Sequence, residues 1–209
     1  MKTKKLKLIQ RALAAVLTLT TALGIVPMTA FAEETSQAAQ EAAAMRALES
    51  RVFILGYEEK TIEDLEQADF VMVTTENGEN VTLSGDEIRD YLIVNPQVNI
   101  DVSGTISIRR TSSSTAQLTL VAHANSYIGK VSGYMYCRNS ATKQSYYGNN
   151  ISYEASGSVN KTQVTITSSH FSIPPTTTKV DYGFNMLNIQ MKTGAGGTAT
   201  SKENYGVSL

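Results

Sequence analysis

The chain has no tryptophan, one cysteine, two histidines and four prolines among 209 residues. Each scarcity excludes something. Cys137 alone forms no intramolecular disulfide, so an exported form of the chain would rest on its core rather than on a covalent framework. His123 and His170 lie too far apart in sequence to make a zinc-ligand motif, and the acidic calcium-loop pattern is missing. Neither a metal nor a cofactor is therefore expected. No apolar run reaches the roughly 20 residues that span a bilayer. The longest, residues 12–26, is interrupted by Thr18, Thr20 and Thr21. A net charge of −1 offers no basic excess of the kind nucleic acid attracts.

What is present starts with a leader. Lys2, Lys4, Lys5, Lys7 and Arg11 form a basic head without an acidic residue. The short apolar run follows, Pro27 breaks it, and Ala30-Phe31-Ala32 ends it with small residues at the positions a signal peptidase reads. This order predicts a signal peptide over residues 1–32, cleaved after Ala32, and a secreted or wall-associated product with no membrane anchor. The Lys-rich head resembles the leaders of Gram-positive bacterial secreted proteins. The C-terminal Asn204-Tyr205-Gly206-Val207-Ser208-Leu209 carries no hydrophobic tail, which fits release.

Charge is unevenly placed after the leader. Residues 33–101 hold 16 acidic and four basic side chains; residues 102–209 hold three acidic and nine basic ones. Either the two parts partly neutralise each other, or the basic part meets an anionic polymer.

The hydrophobic pattern divides the mature chain into a leading segment, 33–95, and a body, 96–209. The stretch 33–51 is Ala-rich and helix-prone, with a weak apolar stripe at Ala38, Ala42, Met45, Leu48 and Val52. Thr61-Ile62-Glu63-Asp64 opens like a capped helix with Ile62, Leu65 and Ala68 inward. Asn77-Gly78 between two apolar runs signals a hairpin, and Ser84 with Glu87 has capping-box spacing before Ile88, Tyr91 and Leu92.

From Val98 the period becomes two. Apolar residues alternate at 98–108, 118–122, 131–137, 151–155, 164–166 and 171–173, then at Val180, Tyr182, Phe184 and Met186. Ile189 and Met191 resume out of register, which predicts a bulge near Leu187. Seven or eight short strands with polar turns predict a mainly β protein, an antiparallel β-sandwich (Ig-like or similar) preceded by a small helical or α+β segment. A closed barrel fits the same pattern. Gly194-Ala195-Gly196-Gly197 lacks the Gly-Lys-Ser/Thr ending of a phosphate loop and reads as a flexible turn.

Groups suited to catalysis are few. For acid, base or nucleophilic chemistry the body offers His123, His170, Glu154, Asp181 and Cys137, and their spacing defines no catalytic set. Alternation with Val131, Gly133 and Met135 buries Cys137, a place for a small hydrophobe rather than a nucleophile.

Tyrosine is the richest functional signal, with ten in the chain. Tyr127, Tyr134, Tyr136, Tyr146, Tyr147 and Tyr153 crowd one stretch among Asn125, Asn139, Gln144, Asn149 and Asn150. If Met135 and Cys137 face inward, Tyr134, Tyr136 and Arg138 share the outer face. The turn before the next strand would bring Tyr146 and Tyr147 nearby, and Lys130 adds a positive charge. Flat aromatics among amides suit sugar rings or a protein surface. The expected activity is non-catalytic binding of a glycan, an anionic wall polymer or a protein partner. A small Cys/His hydrolase and an inhibitor or accessory partner of another exported protein are the alternatives.

Overall fold

A computed structural model describes residues 30–194 and 196–209. The expected leader lies outside the described residues up to position 29. The chain divides into two compact units, Met1–Leu48 and Glu49–Leu209. The described part of the first belongs to a helix, α1 (Ala30–Glu49), whose last residue falls in the second and which forms where alanine dominates the sequence. Among the described residues no helix is long and apolar enough to cross a membrane.

The second unit is mainly β, and all its strand pairs are antiparallel. It opens with a small hairpin, β1 (Phe53–Leu55) and β2 (Glu58–Lys60). Helix α2 (Ile62–Glu66) follows. Thr61 Oγ1 accepts from the Asp64 N–H, and the Asp64 carboxylate accepts from the Thr61 N–H at 2.8 Å, closing a capping box. Ile62, Leu65 and Ala68 are buried as the spacing predicts. Helix α3 (Gly85–Val94) buries Ile88 and Leu92, and Arg89 binds both oxygens of Glu66 at 2.5 and 2.9 Å.

Two sheets make the body. The first runs β4 (Asn80–Leu83), β3 (Phe70–Thr74), β5 (Asn99–Arg110), β6 (Thr115–Ala124). The short β9 (Gln163–Thr167) and β10 (Phe171–Ser172) share the far edge of β6. The second sheet runs β12 (Gly196–Ser208), β11 (Lys179–Met191), β7 (Ile128–Asn139), β8 (Ser145–Glu154). The strands β3 and β4, expected in a separate leading segment, instead hydrogen-bond to the body through β5. The boundary at residue 95/96 therefore cuts a sheet and separates no compact units.

The two sheets face each other across one apolar core. On β6 burial alternates residue by residue, and Ala116, Leu118, Leu120, Ala122 and Ala124 point inward. Met135 and Cys137 answer from β7, and Phe184 and Leu187 from β11. Phe70 and Phe184 meet edge to face across the gap, centroids 5.5 Å apart at 85°. The sheets also touch along their edges without merging into one ladder. Thr82 Oγ1 donates to the Thr198 carbonyl at 3.1 Å on one side, and Tyr147 stacks on Phe171 at 4.9 Å on the other. This is a sandwich rather than a closed barrel.

Two expectations need correction here. The bulge in β11 occurs where it was expected, between Asn185 and Asn188 against β7. It begins one residue early, however, so Met186 turns outward and is 65% exposed instead of continuing the inward row. In the glycine-rich run, the turn is at 192–194, while Gly196 and Gly197 already belong to β12. Ala195 lies outside the described residues.

Candidate functional site

The outer face of the second sheet carries a cleft of about 580 Å³. Its residues follow from strand register. Tyr134 on β7 pairs with Asn185 on β11, which pairs with Ser201 on β12. One step along, Tyr136 pairs with Gly183, which pairs with Glu203. In the next row Arg138 pairs with Asp181, and Tyr205 lies beside it at the end of the cleft. The middle row has a glycine at its centre. A Cβ on Gly183 would collide with the Lys202 carbonyl of β12, so only glycine permits this close approach.

Along β7 the rings form a ladder. Tyr134 and Tyr136 stack with centroids 6.5 Å apart and planes 25° off parallel. The Arg138 guanidinium sits 6.0 Å from the Tyr136 centroid. Tyr134 is 38% exposed and Tyr205 is 69% exposed, so both present apolar ring surface to solvent. Gly148 on β8 lies under the Tyr134 phenol; a Cβ there would collide with the hydroxyl oxygen and come within 3.0 Å of Cζ.

The charges beneath this ladder balance. Asp181 is buried and accepts from Lys143 Nζ at 2.6 Å and from the Gly206 N–H at 2.9 Å. Arg138 Nε lies 3.5 Å from the same carboxylate, and Arg138 Nη2 pairs with Glu203. Burial works to raise the Asp181 pKa, yet the hydrogen bonds from Lys143, Gly206 and Ser140 outweigh it and hold it down at about 2. Burial, with the nearby Glu203 charge, pushes the Tyr136 hydroxyl up to about 12. The cations of the cleft, Arg138 and Lys143, are thus matched by Asp181 and Glu203.

Of the residues singled out in the sequence, Tyr134, Tyr136 and Arg138 meet in this cleft. Tyr146 and Tyr147 do not join them. They pack against the core. The Tyr146 hydroxyl bonds Asn139 Nδ2 at 2.9 Å and Thr177 Oγ1 at 2.8 Å. Tyr147 pairs with inward Cys137, and the register shift between Cys137 and Arg138 makes Tyr146 the extra residue of that end of β8. Lys130 shares the outer face, paired between Glu154 and Gln190, but stands four residues, about 13 Å, from Tyr134. Reasoning from sequence missed Ser201, Glu203 and Tyr205, because β12 has almost no apolar alternation to announce it and Ala199 is its only fully inward residue; it missed Asn185 on β11, which pairs with Tyr134 across a strand contact that periodicity does not reveal.

Cys137 is buried, and burial followed by the Asp181 charge pushes its thiol up to about 12. A thiol so held is neutral at pH 7, the wrong state for a nucleophile. His123 lines a different, smaller hollow of about 250 Å³ with Leu55, Tyr57 and Glu58. Its Nδ1 is 3.4 Å from the Glu58 carboxylate, and burial lowers its pKa. His170 is exposed at the edge of the first sheet. The groups required by a Cys/His hydrolase therefore lie in separate places. Among the described residues no cluster of three or more His, Cys, Asp or Glu side chains is positioned to hold a metal ion.

Compared with protein-family models, the chain matches none, and no curated protein matches it in sequence.

Proposed function

We propose that this is an exported, non-catalytic binding protein whose cleft takes a glycan. The observation that carries this reading is the stacked pair of exposed Tyr134 and half-buried Tyr136 over a hydrogen-bonding and charge-balanced floor. A sugar ring has an apolar face for an aromatic platform and an edge of hydroxyls for Asn185, Ser201 and Glu203. Charge balance separates the ligand classes. An anionic wall polymer needs unpaired cations, whereas Arg138 and Lys143 are already partnered by Glu203 and Asp181. A neutral glycan fits better than a polyanion.

The test is retention on insoluble cellulose, chitin, xylan and purified cell walls, with the Tyr134→Ala/Tyr136→Ala double variant beside the parent. The parent should be held by at least one neutral polysaccharide, with little loss on raising salt from 50 to 500 mM, and the double variant should be washed off with its melting temperature nearly unchanged. Retention only on walls, abolished by salt, would instead identify a polyanion. Equal retention of parent and double variant would remove the tyrosine cleft from the function. Expression in a secreting bacterial culture tests export: protein in the medium should begin at Glu33.

A further inference from the structure

Among the described residues, two non-glycine residues have a left-handed backbone, Lys143 with φ 60° and Met186 with φ 50°. One is in the tyrosine cleft and the other adjoins it. Lys143 lines it, and Met186 follows Asn185, which also lines it. A left-handed conformation is unfavourable for residues with a Cβ, costing of order 1–3 kcal/mol, and persists only where the surroundings impose it. Asparagine and glycine adopt it with least penalty. Neither occupies either position.

Lys143 has a structural return for its conformation, the ion pair with buried Asp181. Met186 has none of that kind. Its side chain is 65% exposed and lies outside the core cluster. The bulge is what turns it out: Phe184 and Leu187 point inward, and the two residues between them both face solvent. Without the extra residue, the inward row of Val180, Tyr182 and Phe184 would continue through Met186 into the core. Opposite it on β7 lies the step between Tyr134 and Ser132, one strand spacing of about 4.8 Å away. The bulge thus adds a flexible, polarisable apolar side chain to the open end of the Tyr136–Tyr134 ladder.

We infer that Met186 is a ligand-contacting residue that extends the tyrosine platform, covering the apolar face of the next sugar ring beyond Tyr134. The inference rests on the glycan reading above. The thioether supplies contact area without fixed geometry, so it accommodates a ring whose tilt the neighbouring unit sets. Asn185, next to it in the bulge, supplies the polar partner for that ring's hydroxyls.

Three variants separate ligand contact from a structural role, all measured on the polysaccharide that retains the parent most strongly. Met186→Gly and Met186→Asn remove the apolar side chain and relax the backbone. Both should weaken retention about three- to tenfold while the melting temperature stays level or rises by a few degrees. Met186→Leu keeps the apolar surface and should bind within about twofold of the parent. Unchanged retention by the glycine and asparagine variants would overturn the inference, and so would a clear fall in their melting temperature, which would make Met186 a packing residue. A parent held by none of the polysaccharides would overturn the glycan reading itself, and this inference with it, an outcome distinct from a parent that binds regardless of residue 186.

Discussion

Replacing Asp181 by asparagine tests the foundation of the cleft. The folded pKa of about 2 lies below the unfolded value of 3.8. A depressed pKa means that the ionised carboxylate is bound more tightly in the folded state. The stabilisation is complete above the unfolded value, and it is lost as pH falls from about 4 through 2. The gap corresponds to 2–3 kcal/mol, on the order expected at 1.36 kcal/mol per pKa unit. The side chain is only 1% exposed, so solvent screening takes little from that figure. Asp181→Asn keeps the shape and leaves an amide oxygen for the Gly206 N–H, but removes the charge that faces Lys143 and Arg138. Lys143 can turn to water, since its side chain is 53% exposed, and Arg138 keeps Glu203. The loss should therefore stay near 2–3 kcal/mol at pH 7, below the roughly 3–5 expected when a buried partner is stranded. For a unit of this size that is about 5–10 °C in Tm. The assay is urea unfolding of parent and variant at intervals from pH 7 to pH 2. The difference should hold constant down to about pH 4 and then shrink. Equal stability at pH 7, or a gap that persists unchanged to pH 2, would refute the assignment of a buried, ion-paired Asp181.

Two further outcomes follow. Gly148→Ala should displace the Tyr134 phenol, because the new Cβ meets the end of a flexible side chain rather than backbone; retention on the polysaccharide should fall several-fold with little change in Tm, and unchanged binding would mean that the ring is not held against β8. Cys137 should react with a thiol reagent only as fast as the protein unfolds, and Cys137→Ser should cost about 1–3 kcal/mol through a buried hydroxyl; rapid labelling of the folded protein would restore the thiol as a nucleophile.

The strands with two-period apolar patterns were legible in the sequence, as were the Thr61 N-cap, the Ser84/Glu87 capping box, in which the Glu87 carboxylate accepts from the Ser84 N–H at 3.1 Å, and the neighbourhood of the bulge. Each is a local signal. Tyr134, Tyr136 and Arg138 were legible for the same reason, since inward Met135 and Cys137 fix the direction of their neighbours. The rest of the cleft was not. Glu203 and Tyr205 come from a strand held to β11 by backbone hydrogen bonds, with small and polar side chains that encode no face. The fate of Tyr146 depends on a register shift in β8 that periodicity does not reveal, and that of Tyr147 on its pairing with inward Cys137. The place of β3 and β4 depends on pairing with β5, a contact between segments that sequence pattern treats separately.

The central pair of the second sheet has a kinetic consequence. Strand β11 joins β7 by matching Val180 to Asn139 and Met191 to Ile128, across β8, β9 and β10. Closing such loops orders chain before any contact rewards it, so folds of this kind form in milliseconds to seconds rather than microseconds. The cleft needs β7, β11 and β12 together, and thus exists only once the last of these docks. Until then the chain has its tyrosines but no cleft. Under the export proposed above, threading through a membrane in an unfolded state would gain time from that delay.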